Sequence, residues 1–183
     1  MSNFTYAFLR LIPALFFFLP IVIFHPSYAA TTNPTQLVLL VCRRTSDYAF
    51  CVESLYSDLH TSNAADAYQL AYVPFRLAYL NATATQHHIA TLLKHSSSPG
   101  QSQRLRQCSR DYEKATSALE RAFNDLDSET FFELADFAGV AAHSAADCQA
   151  ASRGTYTSLA VMNENLKGLS EICNVVAKLF SAS

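Results

Sequence analysis

The feature that most constrains the fold is a series of apolar residues spaced alternately by three and four positions, with very little glycine among them. This spacing places the apolar side chains on one stripe of an α-helix. Runs in which apolar and polar residues alternate, which would predict strands, are missing, so most of the chain is predicted to be helical. Three stripes stand out: Leu105, Cys108, Tyr112, Ala115, Leu119, Ala122 and Leu126; Phe131, Leu134, Ala138, Ala141, Ala145 and Cys148; and Leu159, Met162, Leu166, Leu169, Cys173, Val176 and Phe180.

A fourth, less regular helix is predicted before these, from about Asn63 to His95. Pro74 falls inside it and predicts a kink or a break near Val73. A shorter helical segment, roughly 35–60, precedes this helix and is expected to fold back on itself as a hairpin.

Short polar breaks separate the long helices. Residues 96–100 have turn composition, and residues 152–155 separate the last two helices. Between the second and third helices, Asp127-Ser128 is predicted to end the second helix and to cap the third, with Asp127 or Ser128 as N-cap and Glu129 in the first turn. Because short connections join antiparallel neighbours, we predict an all-α fold: an up-down-up-down four-helix bundle preceded by an N-terminal helical hairpin.

The first 29 residues resemble an export signal. Arg10 is the only charge before an apolar run over 11–24, and Ala29 ends a short segment with small residues at the positions that a signal peptidase reads. The alternative is a membrane anchor, but the apolar run is short for a bilayer span. We therefore predict a signal peptide over 1–29 and one domain over 30–183, with the hairpin in 30–62 and the bundle in 63–183.

Five cysteines remain after cleavage at this site, so in an oxidising secretory compartment four can pair and one is left over. Cys108 and Cys148 lie about equally far from the turn between their helices, on the inward stripes. Antiparallel helices then bring them to the same height, which favours a disulfide. Cys42 and Cys51 form the local bridge in the hairpin. Cys173 is predicted to be a buried free thiol.

Metal and enzyme sites are not predicted. Structural zinc requires close ligand pairs, but Cys-x-x-Cys does not occur and the histidines are scattered. No nucleophile motif or phosphate-binding glycine loop is present, and no cofactor is expected. Asp111 and Glu113 are interpreted as part of a solvated charged face. The net charge of −2 is too mild to suggest a nucleic acid or membrane surface as partner. A secreted binding protein without enzymatic activity is the better interpretation.

One glycosylation sequon lies in the predicted mature chain and is not blocked by proline. It is Asn81-Ala82-Thr83, which makes Asn81 a candidate for N-glycosylation.

The cysteine pattern and its surroundings resemble the plant invertase and pectin methylesterase inhibitors over residues 37–180. The resemblance is carried by two motifs and by Ala141-Ala142 upstream of Cys148. The motifs are Val41-Cys42-x-x-Thr45-x-x-Tyr48-x-x-Cys51-Val52-x-Ser54-Leu55 and Leu105-x-x-Cys108-x-x-x-Tyr112-x-x-Ala115-x-x-x-Leu119. It implies the same fold and disulfides, and a protein inhibitor that blocks the cleft of a secreted carbohydrate-active enzyme.

The target implied by the resemblance is a pectin methylesterase or an acid invertase. Invertase inhibitors of this family typically carry Pro-Lys-Phe at the turn before the third bundle helix. Here that turn has an aromatic residue but neither the proline nor the lysine, which favours pectin methylesterase. The candidate partner contacts are Ser128, Glu129, Thr130, Phe131 and Phe132.

In the pectin methylesterase mode, the contact is expected to be an outer face of the helices 63–95 and 105–126 rather than one tripeptide. The aromatic stretch of Tyr68, Tyr72, Phe75 and Tyr79 belongs to this region, although most of it is expected to pack the hairpin against the bundle.

Two other classes stay open: a secreted binding module that keeps the fold without inhibiting, and a small apolar-ligand carrier, which two disulfides and tight Leu/Ala stripes disfavour. The free protein is expected to be a monomer, secreted to the apoplast or cell wall, with the vacuole as the alternative.

Overall fold

Six α-helices and one 3-10 helix make up the regular structure of residues 35–152 and 156–181, the residues that the computed structural model describes. The helices are α1 (Gln36–Cys42), α2 (Tyr48–Tyr56), α3 (Ala67–Lys94), α4 (Pro99–Asp127), α5 (Leu134–Ser152) and α6 (Thr157–Ser181), with the 3-10 helix at Thr61–Asn63. No strand occurs in these two ranges, so the all-α prediction is confirmed. The predicted signal peptide, and residues 153–155 of the last predicted break, lie outside them.

Local capping explains where four of the helices begin. In each, a side-chain oxygen accepts a hydrogen bond from the backbone N–H three residues later, which satisfies one of the free donors of the first turn. Pro99, at the first position of α4, has no N–H and needs no such acceptor. The four capping residues are Thr35, Asp47, Asp66 and Ser98.

Helices α3 to α6 form the four-helix bundle. Each contacts the next along the chain, and α3 also contacts α6, which closes the ring. The residues predicted for the inward stripes of α4, α5 and α6 are buried, apart from Phe131, Met162 and Phe180, which are partly exposed. Among the described helices, none combines the length and apolarity that crossing a membrane requires.

Helix α3 begins at Ala67, after a separate 3-10 helix at Thr61–Asn63, and not at about Asn63 as predicted. It continues through Pro74 as one α-helix, so the predicted break near Val73 is wrong, whereas a kink there stays a prediction. The proline cannot donate a hydrogen bond to the carbonyl of Leu70. Val73, Pro74 and Phe75 are all buried, so packing against the core stabilises the helix on both sides of the missing bond.

Two disulfides staple the fold. Cys42 and Cys51 join α1 to α2 with their Cα atoms 5.4 Å apart. Cys108 and Cys148 join α4 to α5 with their Cα atoms 4.4 Å apart. Cys173 is a buried free thiol, and burial raises its pKa well above the usual value.

A buried hydrogen-bonded chain links three helices of the bundle. The Tyr112 hydroxyl of α4 donates to Asn163 Oδ1 of α6 at 2.7 Å, and Asn163 Nδ2 donates to Gln149 Oε1 of α5 at 2.7 Å. Because these polar groups satisfy one another, they can lie in the core without a large desolvation cost. Burial raises the pKa of the Tyr112 hydroxyl.

The hairpin of α1 and α2 packs on α6 and α3. The ring of Phe50 lies over Gly168, where a side chain would come within 2.5 Å of the ring. The backbone N–H and the hydroxyl of Ser46 both donate to the carboxylate of Glu171, at 2.8 and 2.6 Å. These two contacts add to the burial of Val38, Val41 and Leu55 of the hairpin in the core.

Candidate target-docking site

One end of the bundle gathers exposed and half-buried aromatic residues. The up-down order places the start of α3, the end of α4, the start of α5 and the end of α6 at this end. Four aromatic side chains touch one another or the same turn here, and a fifth projects into solvent. We call Tyr68, Tyr72, Phe131, Phe132 and Phe180 the aromatic end.

The turn between α4 and α5 is a compact helix ending. Thr130 N–H donates to the carbonyl of Asp125 at 2.8 Å, and Glu129 N–H donates to that of Leu126 at 3.1 Å. This pair of bonds defines a Schellman motif, in which the residue after the cap adopts left-handed backbone angles. Glu129 does so, with φ of 53°, although glycine is the usual residue there.

The predicted cap of α5 is therefore wrong. Asp127 is the last residue of α4 and Ser128 is its C-cap, with the Ser128 hydroxyl donating to the carbonyl of Asn124 at 2.7 Å. Helix α5 begins only at Leu134, so Glu129 lies in the turn and not in a first helical turn. A polar Asp-Ser pair is common at both ends of helices. A glycine after the pair would have indicated a helix C-terminus, but the left-handed residue here is Glu129.

The two phenylalanines of the turn have different surroundings. Phe131 stacks on Phe180, with ring centroids 4.3 Å apart and planes at 16°, and it meets the edge of Tyr68 at 6.0 Å. Phe132 is 93% exposed. Phe131 therefore fixes the turn to the bundle, whereas Phe132 is held in solvent on a turn that is itself fixed.

Two tyrosines of α3 join the turn through hydrogen bonds. The Tyr72 hydroxyl donates to Asp127 Oδ1 at 2.9 Å and lies 3.0 Å from the Tyr68 hydroxyl. Burial is the largest cause that raises the pKa of the Tyr72 hydroxyl, and the hydrogen bonds to Tyr68 and Asp127 raise this pKa further. The other aromatic residues of that stretch lie elsewhere: Phe75 is in the core, and Tyr79 donates to Glu120 at 3.0 Å.

The turn carries negative charge. Residues 125–134 contain four acidic side chains and no lysine or arginine. Glu133 lies 3.6 Å from Arg121, which also covers the ring of Phe137 at 4.6 Å from its centroid. Asp125, Asp127 and Glu129 have no such cation beside them among the ion pairs of the described residues.

Within residues 35–152 and 156–181, no group of three or more histidine, cysteine or acidic residues could hold a metal ion. Asp111 corrects one expectation, because its side chain is only 1% exposed and is not part of a solvated face. Gln107 Nε2 donates to its two oxygens at 3.0 and 3.1 Å, and Lys114 lies 3.3 Å away, so the carboxylate is partnered.

Asn81, the residue of the sequon, lies in the interior of α3. Its side-chain oxygen is buried, and the residue faces a small groove lined by Phe50 and Ser54 of the hairpin and by Leu169 of α6. This placement disfavours attachment of a glycan to the folded chain. N-glycosylation of Asn81 stays a prediction.

Comparison with known proteins decides the family. Residues 36–179 match the profile described as "Plant invertase/pectin methylesterase inhibitor". The chain belongs to this family. Its members are inhibitors of enzymes and not enzymes themselves, as the sequence predicted.

One curated relative is the "Cell wall / vacuolar inhibitor of fructosidase 2" of Arabidopsis thaliana. It is 33% identical over 104 residues, which cover 56% of this chain and 57% of the relative. The alignment therefore spans little more than half of the relative.

Two solved structures share the fold of this chain. A mutant form of a pectin methylesterase inhibitor from Arabidopsis superposes with a TM-score of 0.71 at 21% identity, covering 78% of this chain and 95% of that one. A pectin methylesterase inhibitor from Arabidopsis thaliana gives a TM-score of 0.61 at 21% identity, covering 79% and 96%. At this identity the likeness concerns the fold, and it confirms the predicted bundle with its hairpin.

Sequence reasoning identified the turn but missed the residues that support it. The periodic pattern predicts Phe180 only for an inward stripe, and the turn composition predicts Asp127 only for a helix end. Their meeting with Tyr68 and Tyr72 depends on which ends of the four helices coincide. The up-down order predicted from the short connections contains that information, so a closer reading of helix ends could have found the cluster.

Proposed function

We propose that this chain is a secreted inhibitor of pectin methylesterase that docks on the enzyme through residues 128–132 and covers its substrate cleft. The observation that carries the proposal is Phe132, an aromatic side chain held in solvent by a fixed turn that bears acids and no cation. Apolar anchors of this kind contribute much of the energy of protein interfaces, and a rigid turn lowers the entropy lost on binding.

The charge of the turn supports the choice of target. A glycosidase such as invertase holds a pair of carboxylates at the bond that it breaks, and these repel an acidic turn. A pectin methylesterase acts on a chain of uronate sugars that becomes anionic as its esters are removed. A cleft suited to that substrate tolerates or attracts negative charge, which Asp127 and Glu129 supply.

Inhibition of an acid invertase is the second candidate. It is supported by the relative named as an inhibitor of fructosidase, which is 33% identical over the aligned part. In that mode Phe132 would supply the aromatic residue of the turn, but no lysine is present to pair with the carboxylates of the target. A third outcome is a chain that keeps the fold and binds without inhibiting.

Secretion is part of the proposal. The apolar segment over 11–24 with a cleavage site at Ala29 supports export, and the name of the curated relative supports the cell wall or the vacuole. We propose that the free inhibitor is a monomer in the apoplast.

The test is a titration of the purified chain, produced in an oxidising host without residues 1–29, into pectin methylesterase and acid invertase assays between acidic and neutral pH. We expect inhibition of the esterase and not of the invertase. Inhibition of the invertase alone would replace the first candidate by the second. No inhibition of either enzyme would favour the non-inhibitory module.

A charge reversal tests the argument from the turn. Glu129→Lys should weaken inhibition of pectin methylesterase about ten-fold, because it replaces an acid by a cation at the contact. Glu53→Lys makes the same change of charge on the exposed side of α2 and is the control. Equal losses of inhibition in the two variants would show that inhibition depends on the net charge of the chain and not on the position of the acid.

A further inference from the structure

A second exposed apolar side chain lies at the same end of the bundle as Phe132. Leu59 is 87% exposed and belongs to the connection 57–66 between α2 and α3. Because α3 begins at Ala67 and α4 ends at Asp127, the connection and the α4–α5 turn lie at one end. The hydrogen bond from Tyr72 to Asp127, 2.9 Å long, ties the first turns of α3, which follow the connection, to the end of α4, which precedes the turn.

The connection holds Leu59 outward by burying the residues on both sides of it. Asp58 is buried and pairs with Arg76 of α3, and its Oδ1 accepts the backbone N–H of His60 at 2.9 Å. Thr61 is also buried, and its hydroxyl donates to the carbonyl of Leu55. Because Asp58 and Thr61 are fixed in this way, the backbone between them holds the Leu59 side chain in solvent and away from the core.

A pocket of about 300 Å³ lies between the connection and α3. Asp58 and His60 line one side, and Tyr72 and Val73 line the other. Tyr72 lines this pocket and also donates a hydrogen bond to Asp127 at the end of α4, so it lies between the pocket and the α4–α5 turn. This end of the bundle therefore carries two exposed apolar side chains, Leu59 and Phe132, and a concave region beside the first.

The size of an inhibitor interface requires more than the turn. A stable protein complex buries roughly 800 Å² on each partner, whereas one phenylalanine buries about 150–250 Å². Phe132 therefore supplies only part of such an interface, and further contacts are needed around it. The adjoining region with an exposed apolar side chain on a fixed backbone is the connection 57–66.

We infer that Leu59 and the pocket beside it form a second contact with the target enzyme, so that pectin methylesterase is held at two points, by Phe132 and by Leu59. This inference rests on the proposed function, because it assigns a further part of the same docking surface. It places the connection between the hairpin and the bundle in the interface, in addition to the turn.

The experiment compares the affinity of three variants for pectin methylesterase by biolayer interferometry, with thermal unfolding of each free variant. Leu59→Ser should weaken binding at least ten-fold without lowering the melting temperature, because the side chain is exposed. Phe132→Ser should do the same. Val161→Ser is the matched control, because Val161 is 56% exposed but lies in the first turns of α6, at the opposite end of the bundle. The affinity of this variant for the esterase should stay within two-fold of that of the unmodified protein.

The outcomes separate the two proposals. If Phe132→Ser weakens binding and Leu59→Ser does not, the second contact is wrong and the proposed function stands. If Leu59→Ser weakens binding no more than Val161→Ser does, the inference is also overturned. If the unmodified protein does not bind the esterase, the proposed function fails and the inference fails with it.

Discussion

Glu129 adopts backbone angles that glycine normally occupies, and it does so at the centre of the proposed contact. A residue with a side chain costs about 1–2 kcal/mol in the left-handed region. Here the two hydrogen bonds of the Schellman motif and the stacking of Phe131 on Phe180 hold the turn in place. Strain of this kind is often found at binding sites, which agrees with the assignment of the turn to target contact.

The strain at Glu129 can be measured. Glu129→Gly should raise the free energy of unfolding by about 1 kcal/mol, because glycine reaches a φ of 53° without a steric cost. Urea denaturation at neutral pH gives this value. Ser128→Gly is the control. Because Ser128 has an ordinary φ of −92°, this variant should show no rise in the free energy of unfolding. A loss of stability in Glu129→Gly would show that the side chain stabilises the turn.

At the scale of residues, periodicity predicted the core well but not the turn. The stripe from Leu105 to Leu126 is fully buried, because a spacing of three and four residues fixes one face of a helix. Glu129 could not be predicted, since its left-handed conformation follows from the packing of Phe131 and not from its own preference. The burial of Asp111 was missed for a similar reason: the spacing of charged residues along α4 does not show how the folded chain surrounds each of them.

At the scale of elements, the docking of the hairpin on α6 depends on a missing side chain. The ring of Phe50 occupies the space over Gly168 that a Cβ atom would need. The sequence predicted the hairpin from its cysteines, but it did not predict where the hairpin packs. That position depends on two distant residues, Phe50 and Gly168, and neither belongs to a periodic pattern.

Two glycine substitutions test this contact. Gly168→Ala should lower the free energy of unfolding by about 1–3 kcal/mol, because a Cβ placed 2.5 Å from Phe50 Cε1 forces the ring to move. Gly139→Ala is the matched control in α5, where nothing lies within 4 Å of the new atom, and it should gain about 0.5–1 kcal/mol from helix propensity. Chemical denaturation measures both. Similar effects of the two variants would show that Phe50 is not fixed over Gly168.

At the scale of the whole molecule, the two disulfides differ in the length of chain that they close. Removing the bridge between Cys108 and Cys148, which spans 40 residues, should cost about 4 kcal/mol on the chain-entropy account. Removing the bridge between Cys42 and Cys51, which spans 9, should cost about 2.5–3 kcal/mol. Thermal unfolding of two double variants, Cys108→Ala with Cys148→Ala and Cys42→Ala with Cys51→Ala, tests this order of stability losses. Cys173→Ala, the control without a crosslink, should cost about 1 kcal/mol.

The buried chain from Tyr112 through Asn163 to Gln149 ties three helices together and gives the fold a dependence on alkaline pH. Burial raises the pKa of Tyr112 in the folded protein, whereas an unfolded tyrosine ionises near pH 10. Below that pH both states keep the proton, so the contribution of Tyr112 is complete. Above it the unfolded state loses the proton first, and the free energy of unfolding falls by about 1.4 kcal/mol for each pH unit.

Tyr112→Phe isolates this effect, since the other tyrosines are common to both proteins. At pH 8 the variant should be less stable by about 1–2 kcal/mol, because Asn163 Oδ1 loses the hydroxyl that donates to it. At pH 11 the difference should shrink by about 1.4 kcal/mol, because only the unmodified protein suffers from ionisation of residue 112 on unfolding. Urea denaturation at the two pH values, with the disulfides intact, provides the comparison. A difference that stays constant would show that Tyr112 titrates equally in the folded and unfolded chains, and that its burial among α4, α5 and α6 does not couple the bundle to pH.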